Sequence, residues 1–127
     1  MKEYLFRAWI PRDEIMFYHV IITPDQWVYV ELEDKDIGLG DNNVDCYAMM
    51  KTDLHDKKDI SIYEGDIVKA LKKDGSYRIA PVVFHHGHFM LTKTKTNKRW
   101  ISLGNIRNKD TIEVIGNIYE DADILNK

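Results

Sequence analysis

Three imidazoles fall within four residues, at His85, His86 and His88. Imidazole nitrogen ligates zinc and similar ions, so this is the chain's best metal candidate. A complete site needs further donors, which His19, Cys46 or His55 would have to bring from elsewhere in the chain. On a strand His86 and His88 would share a face. The competing reading is a solvated hairpin tip between Phe84 and Phe89, and it is preferred, so no metal is assigned.

The acidic stretch Asp34 to Asp45 invites a calcium reading. However, Asp34-Lys35-Asp36-Ile37-Gly38 lacks the next oxygen ligand, and no Glu stands where an EF-hand loop closes. Glu64 and Asp66 resemble a carboxylate pair for acid–base work. They flank Gly65, though, where a turn uses carboxylates to cap backbone N–H groups, so Gly65 and Asp66 are assigned to a structural turn. Cys46 lies in an apolar run and reads as a small core residue. The sequence holds no nucleophile elbow, phosphate-binding loop, dinucleotide fingerprint or HExxH motif. No catalytic residue and no cofactor is expected, and the chain reads as non-enzymatic.

The charges are segregated along the chain. Residues 1–66 carry 7 basic and 15 acidic side chains, net −8. Residues 67–109 carry 10 basic side chains against Asp74 alone, net +9. The tail from Asp110 is net −4, which brings the whole to −3. In the basic segment, Lys72, Lys73, Arg78, Lys93, Lys95, Lys98, Arg99 and Arg107 are interleaved with Tyr77 and Trp100. Phosphate neutralisation beside stacking aromatics is how sequence-tolerant single-strand binders work, so these residues, within the segment 69–109, are candidate contacts to nucleic acid or to a partner. Two other readings compete. Lysines on edges and tips blunt aggregation, and an acidic region can dock on a basic one within the chain or between subunits.

At 127 residues the chain can bury a core without staples. The single cysteine forms no intramolecular disulfide and fits a reducing compartment. The apolar patch near the N-terminus is too short for a signal sequence, and no segment has the uncharged apolar length of a membrane span, so no membrane association is expected.

Short alternating runs set the elements. Strands are expected at Tyr4–Trp9, Ile15–Thr23 and Trp27–Leu32, followed by a loop over residues 33–43. Cys46–Met50 fits either a strand or a brief helix, and Asp53–Asp59 is a polar connection. Ile60 and Ile62 alternate with Ser61, the Glu64-Gly65-Asp66 turn follows, and Ile67-Val68 restarts a strand. Asp74-Gly75 marks a hairpin before Tyr77–Phe84, where Pro81 argues for an edge or a bulge. A turn at the histidines, a basic hairpin tip over Thr92–Arg99, a strand from Trp100 to Leu103, and a last strand over Thr111–Tyr119 with a bulge at Gly116 complete the chain. One helical turn is expected at Ala122–Leu125. The expected fold is mostly β and antiparallel, with few short helices. It comprises a smaller N-terminal β region (1–55) and an SH3-like barrel (56–127), the latter by analogy with the Gly-Asp-x-Val strand entry.

Three blocks resemble the YopX family of phage and prophage proteins: Phe6-Arg7-Ala8-Trp9, Ile62-Tyr63-Glu64-Gly65-Asp66-Ile67-Val68, and Glu113-Val114-Ile115-Gly116-Asn117-Ile118-Tyr119-Glu120. The family pattern ahead of the central block is Thr-Gly-Leu-x-Asp-x-x-Gly, whereas this chain has Thr52-Asp53-Leu54-His55-Asp56-Lys57-Lys58-Asp59. Aspartate stands at both glycine positions. It is among the few residues that tolerate left-handed backbone, so the turns are expected to survive. Ile10-Pro11 departs from the Asp that often follows the first block, so the local turn there differs. The resemblance implies a β-rich, self-associating protein of the bacterial cytoplasm, of phage origin, with a phage or host protein as a further partner. It implies no activity, and no catalytic residue is carried over.

Overall fold

The computed structural model describes residues 4–31, 36–41, 46–92, 100–106 and 109–126. The chain divides between Lys51 and Thr52 into two units. Both are built from antiparallel strands, and the described helical structure is limited to three short 3₁₀ turns.

The first unit runs β1 (Phe6–Ile10), β2 (Ile15–Ile22), β3 (Trp27–Glu31) and β4 (Asp36–Asp41), followed by the start of β5 (Tyr47–His55). Their order is β4-β3-β2-β1-β5. Alternation sends Ala8, Ile10, Val20, Val28 and Val30 to one core, joined by Cys46 and flanked by Phe6, Phe17 and Ile22. The small buried cysteine thus packs as the sequence suggests. Phe6 pairs with Val20 and Ala8 with Phe17, so Tyr18 and His19 together oppose Arg7 in a bulge.

The stretch expected as a loop over 33–43 contains a strand. β4 pairs with β3 through Tyr29↔Gly38 and Trp27↔Asp41. A Cβ at Gly38 would lie 2.9 Å from Trp27 Nε1. Glycine here makes room for an indole and does not interrupt the strand.

The second unit takes up the end of β5 and continues with β6 (Ser61–Tyr63), β7 (Asp66–Leu71), β8 (Tyr77–His85), β9 (His88–Leu91), β10 (Ile101–Ser102) and β11 (Ile112–Asn117). The strand β5 reaches His55, so the connection expected from Asp53 is shorter than its polarity implies. Five strands form a sheet in the order β10-β9-β8-β7-β11. Its edges are β10 and β11, and no pairing among the described strands closes it into a barrel. Ile62, Val68, Ala70, Ala80, Val82, Leu91, Leu103 and Ile112 form its core. Each large aliphatic side chain there contributes roughly 1.5–3 kcal/mol by leaving water.

Pro81 is not on an edge strand. It pairs with Ile67 inside the sheet, at the point where β8 changes partners: residues 77–81 face β7, and Val82–His85 face β9. The expected bulge of the last strand is present, with Val114 opposite Val68 and Gly116 opposite Ile67, leaving Ile115 as the extra residue. Residues 122–126 make the expected helical turn in 3₁₀ form.

Candidate functional site

Polar groups in the second unit gather at four places: two turns, a cavity beside the first turn, and a cleft at the far hairpin. The first turn centres on Asp56, which is fully buried. Its Oδ1 accepts the N–H of Lys58 at 2.9 Å and of Ile60 at 3.0 Å, while Oδ2 accepts the N–H of Val114 at 3.0 Å. Burial works to raise the pKa of this carboxyl. The donors from Val114, Ile60 and Lys58, together with the Lys58 charge, outweigh burial and hold it below the ordinary 3.8. The carboxylate therefore works as structure, tying the turn after β5 to the last strand.

Asp53 and Asp59 both adopt left-handed backbone, with φ of 66° and 63°. The expectation that aspartate can occupy these two glycine positions is met. With His55 they rim a cavity of about 310 Å³ whose apolar wall includes Ile62, Leu103, Ile106 and Ile112.

The second turn holds Gly65 and Asp66. Gly65 has φ of 88°, donates its N–H to Val82 O, and accepts the N–H of Ile118. Asp66 is buried, and its Oδ2 accepts the Tyr63 N–H at 2.8 Å. This carboxylate caps the turn, as expected. Asn117 does the same at the end of β11: its Oδ1 accepts the N–H groups of Tyr119 and Glu120, and its own N–H donates to Asp121 Oδ2. Asp56 and Asn117 were not singled out from the sequence. The signals for them are an Asx residue at the entry to each turn, Asp56 standing at the Asp of the Thr-Gly-Leu-x-Asp-x-x-Gly pattern and Asn117 lying within the third family block.

The histidines sit on the β8–β9 hairpin. His86 and Gly87 supply its turn with φ of 51° and 81°, which suits a tight hairpin. The facing pair is therefore His85↔His88, and His86 does not share a strand face with His88. His85 stacks on Trp100 with ring centroids 4.7 Å apart. Among the described residues no three His, Cys, Asp or Glu side chains converge as metal ligands. Beside the stack, His88, Met90, Trp100, Ser102, Asn105 and Ile106 line an open cleft of about 660 Å³.

The described basic candidates differ in their settings. Lys72 and Lys73 lie in the β7–β8 hairpin turn, where Lys72 N donates to Ser76 O. Arg78 is buried, with Nη1 donating to Thr92 O at 3.2 Å, and burial lowers its pKa. It is thus not a surface contact for nucleic acid, which corrects the expectation. It shares strand parity with Ala80 and Val82, while Tyr77 and Ile79 face outward. Lys93, Lys95, Lys98, Arg99 and Arg107 lie outside the described residues.

The geometry defines a protein of two antiparallel β units whose described buried carboxylates and turn glycines organise backbone. The chain belongs to the YopX family: the family model described as YopX protein matches residues 5–126. Two solved structures are similar along nearly their whole length. The crystal structure of protein yopX from Bacillus subtilis shares 24% identity at a TM-score of 0.71, covering 98% of this chain and 99% of that one. Protein EF1440 from Enterococcus faecalis shares 21% identity at a TM-score of 0.67, covering 95% of this chain and 96% of that one. At these identities the likeness is one of fold. A search of curated proteins gave no match.

Proposed function

We propose that this YopX-family protein acts without catalysis, through protein–protein binding that includes association with copies of itself. The observation that carries this reading is the union of charge segregation with an exposed apolar strip. The basic segment 67–109 holds a hairpin on whose outer face Leu71 pairs with Tyr77 and Lys69 with Ile79. Leu71, Tyr77 and Ile79 are 42%, 53% and 39% exposed. Contiguous apolar side chains rimmed by charge mark association surfaces. The motif residues also support it: Arg7, Ala8, Trp9, Ile62, Tyr63, Asp66, Ile67 and Val68 are all buried, which commits them to folding. The family supports a phage or prophage setting in a bacterial cytoplasm, with a phage or host protein as further partner. The Gly65-Asp66 strand entry and the return of β11 to β7 support an SH3-like relationship for residues 56–127. Light scattering from low to high salt tests the reading. The expected result is a mass above one chain at low salt that falls as salt screens the charges; one monomeric mass throughout would refute it.

A second reading, nucleic-acid binding, has one specific observation in its favour. The Trp100–His85 stack borders an open cleft that also carries Ser102 and Asn105, and an indole at 39% exposure offers a surface for a base. Gel-shift titration with single- and double-stranded DNA and RNA tests it. Absence of a shift at low salt removes it.

A further inference from the structure

Strand parity gives the five-stranded sheet a second face. Ala80 and Val82 point to the core, so Tyr77, Ile79, Pro81, Val83 and His85 share the opposite side of β8. The registers extend that side across the neighbouring strands: Lys69 of β7 stands opposite Ile79, while Met90 of β9 stands opposite both Val83 and Ser102 of β10. An aromatic ring marks each end of this face. At one end Trp100 stacks on His85 and lines the cleft with Met90 and Ser102. At the other, Lys69 Nζ lies 4.1 Å from the centre of the Tyr77 ring. Trp100 and Tyr77 are each held from one side by a neighbour, yet remain 39% and 53% exposed, which offers the other side to a flat group.

The face also suits a polyanion. Strands β7 to β10 contain one acid, Asp66, and it is buried with the Tyr63 N–H on its carboxylate. Asp74, in the β7–β8 turn, is ionised and held by Ser76 with Lys72 nearby, and Lys72 and Lys73 outnumber it there. On the flanking strand, Glu113 is engaged by Lys57 and Lys58. Phosphates answer the charge and bases answer the rings. A base inside a duplex is already stacked and paired, so the rings select an unpaired strand. The 9 residues of β8 separate the two ends by no more than roughly 26 Å, a span within reach of strands that fill sites of about 4–16 nucleotides on small β folds.

We propose that this face is a track for one single-stranded nucleic acid, with one base stacked on Trp100, another on Tyr77, and the intervening bases over Ile79, Pro81 and Val83. The track rests on the nucleic-acid reading and extends it from the Trp100 cleft to a second platform. Tyr77 also belongs to the apolar strip of the self-association reading, so a strand and a second copy exclude each other there.

The test measures fluorescence anisotropy of a labelled oligothymidylate of about 12 nucleotides with the full chain at low salt, and circular dichroism confirms folding. One strand per chain is expected to bind, and an unlabelled duplex is expected to compete at least tenfold less well than the unlabelled single strand. Trp100→Leu and Tyr77→Leu are each expected to weaken binding roughly tenfold, while Tyr77→Phe, which keeps the ring, stays within about twofold of wild type. A folded Trp100→Leu or Tyr77→Leu that binds like wild type refutes the track, as does equal or better competition by duplex; nucleic-acid binding itself then stands. Should Tyr77→Leu be the silent variant, the strip is left to a second copy. A wild type that binds neither single strand nor duplex overturns both the track and the reading beneath it. If a variant fails to fold, photocrosslinking of wild type to an iodouracil-substituted strand decides: adducts on both Trp100 and Tyr77 support the track, and adducts on only one or on neither refute it.

Discussion

The loop from Asp53 to Asp59 and the hairpin tip at His86-Gly87 both rely on left-handed backbone, yet they use their polar side chains in opposite ways. In the loop, Asp53 and Asp59 take φ of 66° and 63° around a buried Asp56 that gathers three backbone N–H groups, one of them from Val114 in the last strand. At the tip, His86 and Gly87 take 51° and 81°, and the imidazoles stay at the surface, His85 against Trp100 and His86 edge-on to His85. The most conspicuous cluster of candidate ligands thus lies where the chain has least at stake in folding. A single inconspicuous aspartate joins segments 58 residues apart.

The sharpest way to break this contrast is Asp56→Ala. It leaves three backbone donors without their acceptor, two of them in the turn and one in β11, and each buried donor so orphaned costs about 1–3 kcal/mol. A loss of about 3 kcal/mol or more is expected in urea unfolding. A loss under 1 kcal/mol would show that water replaces the carboxylate and that the tie to Val114 is incidental. Gly65→Val belongs in the same range. It puts a β-branched residue at φ of 88° while both the N–H and the C=O of Gly65 are engaged, and a soluble, fully folded variant would mean the turn can reorganise.

Acid sharpens the same point. The folded Asp56 pKa lies below 3.8, so its ionised form contributes stability at pH above 3.8, and the contribution is lost as pH falls through the lowered folded value. Asp56→Asn removes that dependence. The gap in stability between wild type and Asp56→Asn is expected to be widest near neutrality and to shrink as pH falls below 3.8. A gap of constant width would place the acid sensitivity elsewhere.

These contrasts also explain what the sequence made legible. Strand positions followed from alternation, and the turns at Gly65, Gly75 and Gly87 followed from residues that accept positive φ. The readings that failed did so because the deciding neighbour is remote in sequence or because charge was weighed above parity. Gly38 looked like a loop residue, since nothing local announces that Trp27 needs its space. Arg78 looked like a surface cation, although Tyr77, Ile79, Ala80 and Val82 around it already assign its side to the core. Asp56 stood in the family pattern without an assigned role, because its third donor comes from β11. No local pattern distinguishes the cavity rim either. Asp53 and Asp59 stood out in the sequence as glycine replacements, and their meeting with Leu103 and Ile112 is a product of the fold.

On the other side of the comparison, effects should be small. Gly87→Ala faces no steric obstacle, since nothing lies within 4 Å of the added Cβ, so its cost is the backbone conformation alone, about 1 kcal/mol. Replacing His88 by Gln should change stability by less than about 0.5 kcal/mol, the usual range for an exposed position without a structural role. His85→Ala removes a ring stacked at 4.7 Å on Trp100 and is expected to cost no more than about 1 kcal/mol while altering tryptophan fluorescence. The spectral change without a matching stability change is the diagnostic result, because it would show that the stack orders the exposed indole and contributes little to the core. If His85→Ala instead cost as much as Asp56→Ala, the hairpin would be a folding element equal to the buried turn, and the division between structural carboxylates and surface imidazoles would fail.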